Sequence, residues 1–156
     1  MTKETVAKLI LESSSLVFRT MLSEEVTHLK NGQPEKIESC FLAMISLSGD
    51  GGGTLSLRCN RNTARDLAAK LLAMAPEELK SDTDISDAIG EVANMTAGNL
   101  KTQLTAEVPN SNLVLSIPTV VTGDDYRVQH LSTGSHVTVS IGVRNSFVVF
   151  EFVMNK

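Results

Sequence analysis

Residues 40–59 read CFLAMISLSGDGGGTLSLRC, which places two short apolar segments on either side of a glycine-rich turn. Residues 40–47 have the length of one strand, and residues 54–59 alternate leucine with polar residues, as a half-buried strand does. The glycine cluster between them resembles a phosphate-binding loop only superficially, because it lacks the Gly-Lys-Ser/Thr ending and no helix begins directly behind it. This stretch therefore predicts an antiparallel β-hairpin.

A second hairpin is predicted at the end of the chain. Residues 136–143 alternate cleanly, with valine or isoleucine at every second position, and residues 144–146 (Arg-Asn-Ser) form a turn. Residues 147–154 then return as a last apolar strand. Strands that are joined by such short turns indicate a mainly antiparallel sheet.

Two further strands are predicted between residues 113 and 130. Residues 113–121 are apolar but contain Pro118, which a sheet tolerates at an edge or at a bulge. Residues 122–125 (Thr-Gly-Asp-Asp) predict a turn, and residues 126–130 predict a short exposed strand. With the two hairpins, the predicted sheet has about six strands.

Three helices are predicted from the spacing of apolar residues. Residues 5–29 have an amphipathic period, residues 62–74 form a shorter helix with Asn60 or Asn62 as its N-cap, and Ser81 begins a long helix that ends near Glu107. Together these elements predict an α+β fold in which two long helices and one short helix pack on the sheet. The order of elements also predicts one domain over residues 1–156 with loosely duplicated halves, residues 1–75 and 80–156.

Composition restricts the classes of partner. The formal net charge is −4 and no basic block occurs, so we expect neither nucleic acid nor an anionic membrane surface as a partner. We see no signal peptide and no apolar run long enough to span a membrane, so we expect a cytoplasmic protein. Cys40 and Cys59 are predicted to be reduced core thiols, with a redox pair as the alternative. His28, His130 and His136 have no metal-ligand spacing, so no metal site is predicted.

The long third helix carries the candidate functional residues. At roughly 100° per residue, its apolar residues gather on one side and a polar row gathers on the other. Glu91 and Asn94 lie three positions apart in that row, so their side chains are neighbours that point to solvent. The polar row consists of Asp87, Glu91, Asn94 and Gly98, and small residues flank it at Gly90, Ala93, Ala97 and Gly98. We interpret this arrangement as a face that another protein can approach closely.

An ordinary solvated helix face is the alternative, because Glu and Asn often lie three apart on exposed helices. Gly98 argues against it, since glycine inside a helix costs about 1 kcal/mol relative to alanine. Asn99 falls nearer the apolar stripe, and we expect its amide to be partly buried and hydrogen-bonded.

The sequence of this helix resembles a known signature. Asp87-Ala-Ile-Gly-Glu91-Val-Ala-Asn94 is similar to the Asp/Ser-x3-Glu-x2-Asn motif of the CheC/CheX/FliY phosphatase family. The family also has a proline about two dozen residues later, and Pro118 matches it here. Twenty-three residues separate Asn94 from Pro118, one more than in the family pattern, which indicates a small insertion.

The first helix decides the branch of the family. CheC proteins carry the motif twice, whereas here the corresponding place reads Glu12-Ser-Ser-Ser15. A serine hydroxyl cannot replace an amide that both donates and accepts at longer reach. We therefore predict one working site, as in the CheX branch.

The resemblance implies a function. It implies a phosphatase that removes the aspartyl phosphate of a CheY-like response regulator in chemotaxis signalling, with Glu91 and Asn94 as catalytic residues and Asp87 and Gly98 as partner-binding residues. It implies that the chain binds no cofactor itself, because the receiver domain brings the Mg²⁺, and that the protein is a homodimer. A non-catalytic receiver-binding module and a structural protein related to the flagellar switch are the alternatives; the intact pair of Glu91 and Asn94 favours the enzyme.

Overall fold

The computed structural model describes residues 1–30, 40–124, 126 and 134–155. These residues form three α-helices and a seven-stranded sheet, which confirms the predicted α+β fold. The helices are α1 (Lys3–Met21), α2 (Arg61–Leu72) and α3 (Asp82–Glu107), and a short 3₁₀ helix covers Pro76–Glu78. The strands are β1 (Thr27–His28), β2 (Cys40–Ser48), β3 (Gly53–Asn60), β4 (Val114–Leu115), β5 (Thr119–Gly123), β6 (His136–Val143) and β7 (Ser146–Met154).

The sheet has the order β1-β6-β7-β3-β2, and β4 and β5 both lie along the outer side of β2. Every pairing within the described residues is antiparallel, and both predicted hairpins are confirmed, β2 with β3 and β6 with β7. The predicted strand at residues 113–121 is split into β4 and β5, and β5 includes residues 122 and 123, which were predicted to turn. The predicted strand at residues 126–130 falls mostly outside the described residues.

The main core lies between one face of the sheet and the helices. Alternate residues of the four central strands point to this face, as the two-residue period requires. Phe150 of β7 makes an edge-to-face contact with Phe18 of α1, with ring centroids 6.5 Å apart. The strand residues in this core are Phe41, Ala43, Ile45, Leu47, Leu55, Leu57, Cys59, Val137, Val139, Ile141, Val143, Val148, Phe150 and Phe152.

Helix α1 is shorter than predicted. It ends at Met21, so the prediction of helix over residues 22–29 is wrong. Ser23 has a φ of 53°, which breaks the helix, and Thr27–His28 forms β1 against β6. The backbone N–H of Leu29 donates to the carbonyl of Ser140 at 2.9 Å. Pairing with a distant strand therefore replaces the helical hydrogen bonds that the apolar spacing suggested.

The strand order is symmetric about the pair of β3 and β7. From one end the order is β1, β6 and β7, and from the other end it is β4 with β5, then β2 and β3. In each half, a short or split strand that follows a long helix lies at the edge, the first strand of a hairpin comes next, and the second strand of a hairpin lies at the centre. A duplicated unit would produce this arrangement, with α1 and α3 as equivalent helices. The single domain and the internal duplication of residues 1–75 and 80–156 stay predictions.

None of the helices in the described part of the chain combines the length and apolar content that a membrane crossing needs. The cytoplasmic location stays a prediction.

Candidate functional site

Helix α3 presents the predicted polar row on the side away from the core. Ser81 is the N-cap of the helix, and its hydroxyl accepts a hydrogen bond from the backbone N–H of Thr83 at 3.2 Å. The helix then continues to Glu107. Asp87 and Glu91 are exposed, while Asn94 and Gly98 are half-buried. The opposite stripe is buried and contains Ile85, Ala88, Ile89, Val92, Thr96, Leu100 and Leu104. The helix therefore brings the four candidate residues together; their roles stay predictions.

The polar side chains of this row have no partner within the described residues. Asp87, Glu91 and Asn94 make no hydrogen bond or ion pair with residues 1–30, 40–124, 126 or 134–155. Asn99 behaves differently, because its Nδ2 donates to the carbonyl of Met95 at 3.2 Å, as expected for a partly buried amide. A carboxylate and an amide are thus left side by side and available to another molecule.

The small residues around the row have a different role from the one predicted. Gly90, Ala93 and Ala97 are buried, so they do not form an open face, and that interpretation is wrong for these three. They allow α3 to pack closely on the sheet and its neighbouring elements. Gly98 is the exception, since no atom outside the helix lies within 4 Å of the position where its Cβ would be. The surface is therefore open to close approach at Gly98.

Pro118 lies beside the polar row, although twenty-three residues separate it from Asn94 in the chain. A Cβ on Gly90 would lie 3.6 Å from the Pro118 ring and 3.3 Å from Val120. Gly90 directly precedes Glu91 and is one turn before Asn94 on the same side of the helix. The linker between β4 and β5 therefore forms one border of the candidate site.

This linker is a β-bulge. Leu115 pairs with Leu47 and Thr119 pairs with Met44, so Ser116 comes opposite Ser46, and residues 117 and 118 together stand opposite Ile45. One extra residue on an edge strand kinks the strand and redirects its side chains. Pro118 has no N–H to offer to the ladder, which suits it to this position.

Of the two positions on α1 that were compared with Glu91 and Asn94, Glu12 already has a partner. Glu12 is exposed but forms an ion pair with Lys8 of the preceding turn, with 3.7 Å between Oε1 and Nζ. Ser15 is half-buried, and the neighbouring Ser13 accepts a hydrogen bond from Gln103 of α3 at 2.8 Å. The geometry agrees with an ordinary surface at Glu12 and Ser15.

Two features near the site were missed in the sequence. One is a groove between α1 and α3 that Leu16, Met21 and Met95 line and that reaches Gly98. The other is Ile117, which is 85% exposed beside Pro118. An apolar residue directly before a proline in an edge strand was the available signal for Ile117. The groove had no such signal, because it depends on how the two helices pack.

The described residues contain no group of three or more His, Cys, Asp or Glu side chains that could hold a metal ion. Cys40 and Cys59 are free and buried. Cys40 lies opposite Asn60 and Cys59 lies opposite Phe41, so the two thiols point to opposite faces of the sheet and cannot form a disulfide. The alternative of a redox pair is therefore wrong.

A family model described as Chemotaxis phosphatase CheX matches residues 41–142. This range contains α3, the bulge and most of the sheet. No curated protein matches the chain.

Solved structures of similar fold cover almost the whole chain. A chemotaxis protein CheX from Vibrio vulnificus is 20% identical with a TM-score of 0.81, and the match covers 99% of both chains. The CheX-CheY-BeF3-Mg+2 complex from Borrelia burgdorferi matches at 19% identity and a TM-score of 0.73, over 96% of this chain and 97% of that chain. The FliM middle domain from H. pylori is more distant, at 14% identity and a TM-score of 0.61 over 99% and 93%. At these identities the matches establish the fold.

Proposed function

Because this chain belongs to the CheX family of chemotaxis phosphatases, we propose that it hydrolyses the aspartyl phosphate of a CheY-like receiver domain. The observation that carries the proposal is the unpaired row on α3, where Glu91 and Asn94 stand side by side next to the Pro118 bulge. The Borrelia complex of CheX with CheY and a phosphoryl mimic supports this class of partner. The site is shared between two proteins, and each contributes part of the chemistry.

Asn94 orients the attacking water. An acyl phosphate is already an activated group, so hydrolysis requires a water in line with the departing carboxylate oxygen more than it requires covalent chemistry. The amide oxygen of Asn94 accepts one hydrogen bond from that water, while its N–H group donates elsewhere. Asn94 is suited to this role because its side chain makes no hydrogen bond with the described part of its own chain. The phosphoryl group leaves as inorganic phosphate and the receiver regains its aspartate.

Glu91 positions the helix in the receiver site. Its exposed carboxylate pairs with the lysine that the receiver places beside its phosphoryl group, as the family resemblance implies. Gly98, one further turn along the row from Asn94, leaves room for the receiver backbone. Asp87 lies one turn before Glu91 and adds a second exposed carboxylate to the docking surface. The receiver supplies the Mg²⁺ that balances charge on the phosphoryl group.

The experiment that tests this function measures phosphate release from a panel of the host's phosphorylated receiver domains, with and without the protein. Acceleration for at least one receiver is expected. Binding without acceleration would indicate the non-catalytic receiver-binding module. Neither binding nor acceleration for any receiver would contradict the proposal and favour a structural role related to the flagellar switch.

Removal of metal should separate the roles of the two proteins. EDTA is expected to leave the melting temperature of the free protein unchanged, because the described residues contain no cluster of side chains that could hold a metal ion. The same chelator should abolish phosphate release, since Mg²⁺ acts in the receiver. Thermal unfolding with and without EDTA checks the first point, and a fall in melting temperature would contradict it.

The protein should form a homodimer through its sheet edge. In the described part of the chain β5 pairs with β2 alone, and Val121 is exposed there, so one edge of the sheet is open to a second copy. Analytical ultracentrifugation at micromolar concentration should show a dimer. Val121→Lys should shift it to monomer, whereas Leu72→Lys, which changes an exposed apolar residue on α2, should not. A wild-type protein that sediments only as a monomer would rule out this interface.

A further inference from the structure

The bulge between β4 and β5 holds Ile117 in solvent with a fixed backbone. The N–H of Ser116 donates to the carbonyl of Ser46 at 2.9 Å, and the N–H of Ser46 donates to the Ser116 hydroxyl at 3.0 Å. The same hydroxyl donates to the carbonyl of Ile117 at 2.9 Å. These three hydrogen bonds hold the strand on one side of Ile117, and the ring of Pro118 holds it on the other side.

The exposure of Ile117 is unusual for its residue type. Its side chain is 85% exposed, the largest exposed fraction among the large hydrophobic residues of the described chain. A loose surface loop could fold such a side chain back onto the protein, but this bulge is hydrogen-bonded to its neighbouring strand. Bulges beside functional sites often redirect a side chain. We propose that Ile117 is an apolar anchor for the receiver domain, beside the polar contacts of Glu91 and Asn94.

The position of Ile117 indicates that its partner is the receiver, and this inference rests on the function proposed above. Pro118, the next residue, is in contact range of Gly90, and Gly90 directly precedes Glu91 on α3. We therefore place Ile117 at the border of the surface that a receiver meets when it brings its acceptor aspartate to Asn94. The proposal requires the receiver to offer an apolar depression next to its phosphorylation site.

The anchor and the polar row have different tasks. Desolvation of an isoleucine strengthens binding whatever the charge state of the receiver, whereas the contact of Glu91 depends on the lysine of the receiver. Ile117 does not touch the reacting atoms, so it changes affinity and leaves the rate of the bound complex unaltered. Differences in the apolar depression between receivers give this residue a part in the choice of substrate.

Ile117→Ser tests the anchor, with Val114→Ser as a matched control. Val114 is β-branched and 59% exposed, but it pairs with Ser48 on the sheet face away from α3. The dissociation constant of a receiver loaded with beryllofluoride and Mg²⁺ is measured by calorimetry for each variant. Ile117→Ser is expected to weaken binding about tenfold with an unchanged kcat. Val114→Ser should change it less than about twofold.

A spectroscopic experiment gives an independent reading. Burial raises the pKa of both native thiols, Cys40 and Cys59, so a cysteine introduced at the exposed position 117 is labelled selectively. An environment-sensitive fluorophore on Ile117→Cys should shift to the blue when the loaded receiver binds, because its surroundings become apolar. The same label on Val114→Cys should not shift.

The outcomes separate the anchor from the proposed function. If Ile117→Ser binds as tightly as the wild type and the label does not shift, the anchor is wrong, and phosphate release by the wild type leaves the function standing. If the wild type binds a receiver but releases no phosphate, the proposed phosphatase function is wrong. The binding and fluorescence comparisons then still test whether Ile117 is an anchor. If no receiver binds the wild type, both are wrong. If Ile117→Ser instead dissociates a dimer and binds the receiver normally, Ile117 belongs to an interface between copies.

Discussion

Asn94→Ala is expected to lower the rate of phosphate release about a hundredfold, while the protein keeps its fold and its affinity for a loaded receiver. Loss of one preorganised hydrogen bond in the transition state is worth about 3 kcal/mol. The side chain makes no hydrogen bond with the described part of its own chain, so its removal should cost the fold no more than about 0.5 kcal/mol. Single-turnover phosphate release and calorimetric binding to a beryllofluoride-loaded receiver measure the two effects.

Asn99→Ala is the matched control for this experiment. It removes the same amide group from the same helix, but this amide donates to the carbonyl of Met95. Phosphate release should therefore stay within about twofold of the wild type, with a small loss of stability at most. If Asn94→Ala retains full activity, the assigned site is wrong and the polar row is an ordinary solvated helix face.

Glu91→Ala is expected to weaken receiver binding about thirtyfold and to lower turnover at limiting receiver concentration. Loss of a charged partner across a desolvated interface costs about 2 kcal/mol or more, because the opposing lysine is left unpaired. The difference between wild type and variant should shrink as salt is added, since the charges are screened. Calorimetry at low and high ionic strength measures both effects.

Glu12→Ala is the control that the chain offers for Glu91. Glu12 lies on α1 at the position that the predicted duplication makes equivalent to Glu91, but it is already paired with Lys8. Its replacement should change neither binding nor phosphate release, because exposed pairs of this kind contribute little. Equal effects of Glu12→Ala and Glu91→Ala would indicate that general negative charge, not a specific contact, governs docking. A loss of turnover in Glu91→Ala without any loss of affinity would contradict the positioning role.

Local features of the sequence were sufficient for most of the fold. The hairpin of β2 and β3 follows from a glycine-rich turn between two apolar segments, and α3 follows from its cap at Ser81 and its apolar period. The row of Glu91 and Asn94 also follows from the period alone, because residues three apart on a helix share a face. These inferences depend only on residues that are close in the sequence, within about one turn of a helix or within one β-turn.

Features that depend on distant contacts were predicted wrongly or missed. Residues 22–29 have a helical pattern, but α1 ends at Met21 and Thr27–His28 forms β1, because β6 offers the backbone hydrogen bonds. Ala93 and Ala97 were assigned to an open face but are buried, because their smallness serves the packing of the helix. The same sequence pattern fits a helix or a strand at residues 22–29, and an open or a buried position for the two alanines. Only the position of the neighbouring elements could decide between these interpretations.

The amino-acid sequence by itself determined the α+β class, the two hairpins, and the polar row of α3 with its Glu and Asn. Each of these depends on backbone period and turn chemistry, which act over a few residues. Only the tertiary structure decided that Pro118 lies against Gly90 and that Ile117 is exposed next to the row. Those facts depend on the register of β4 and β5 along β2 and on the packing of α3 over them, and contacts between residues so far apart in the chain leave no local pattern.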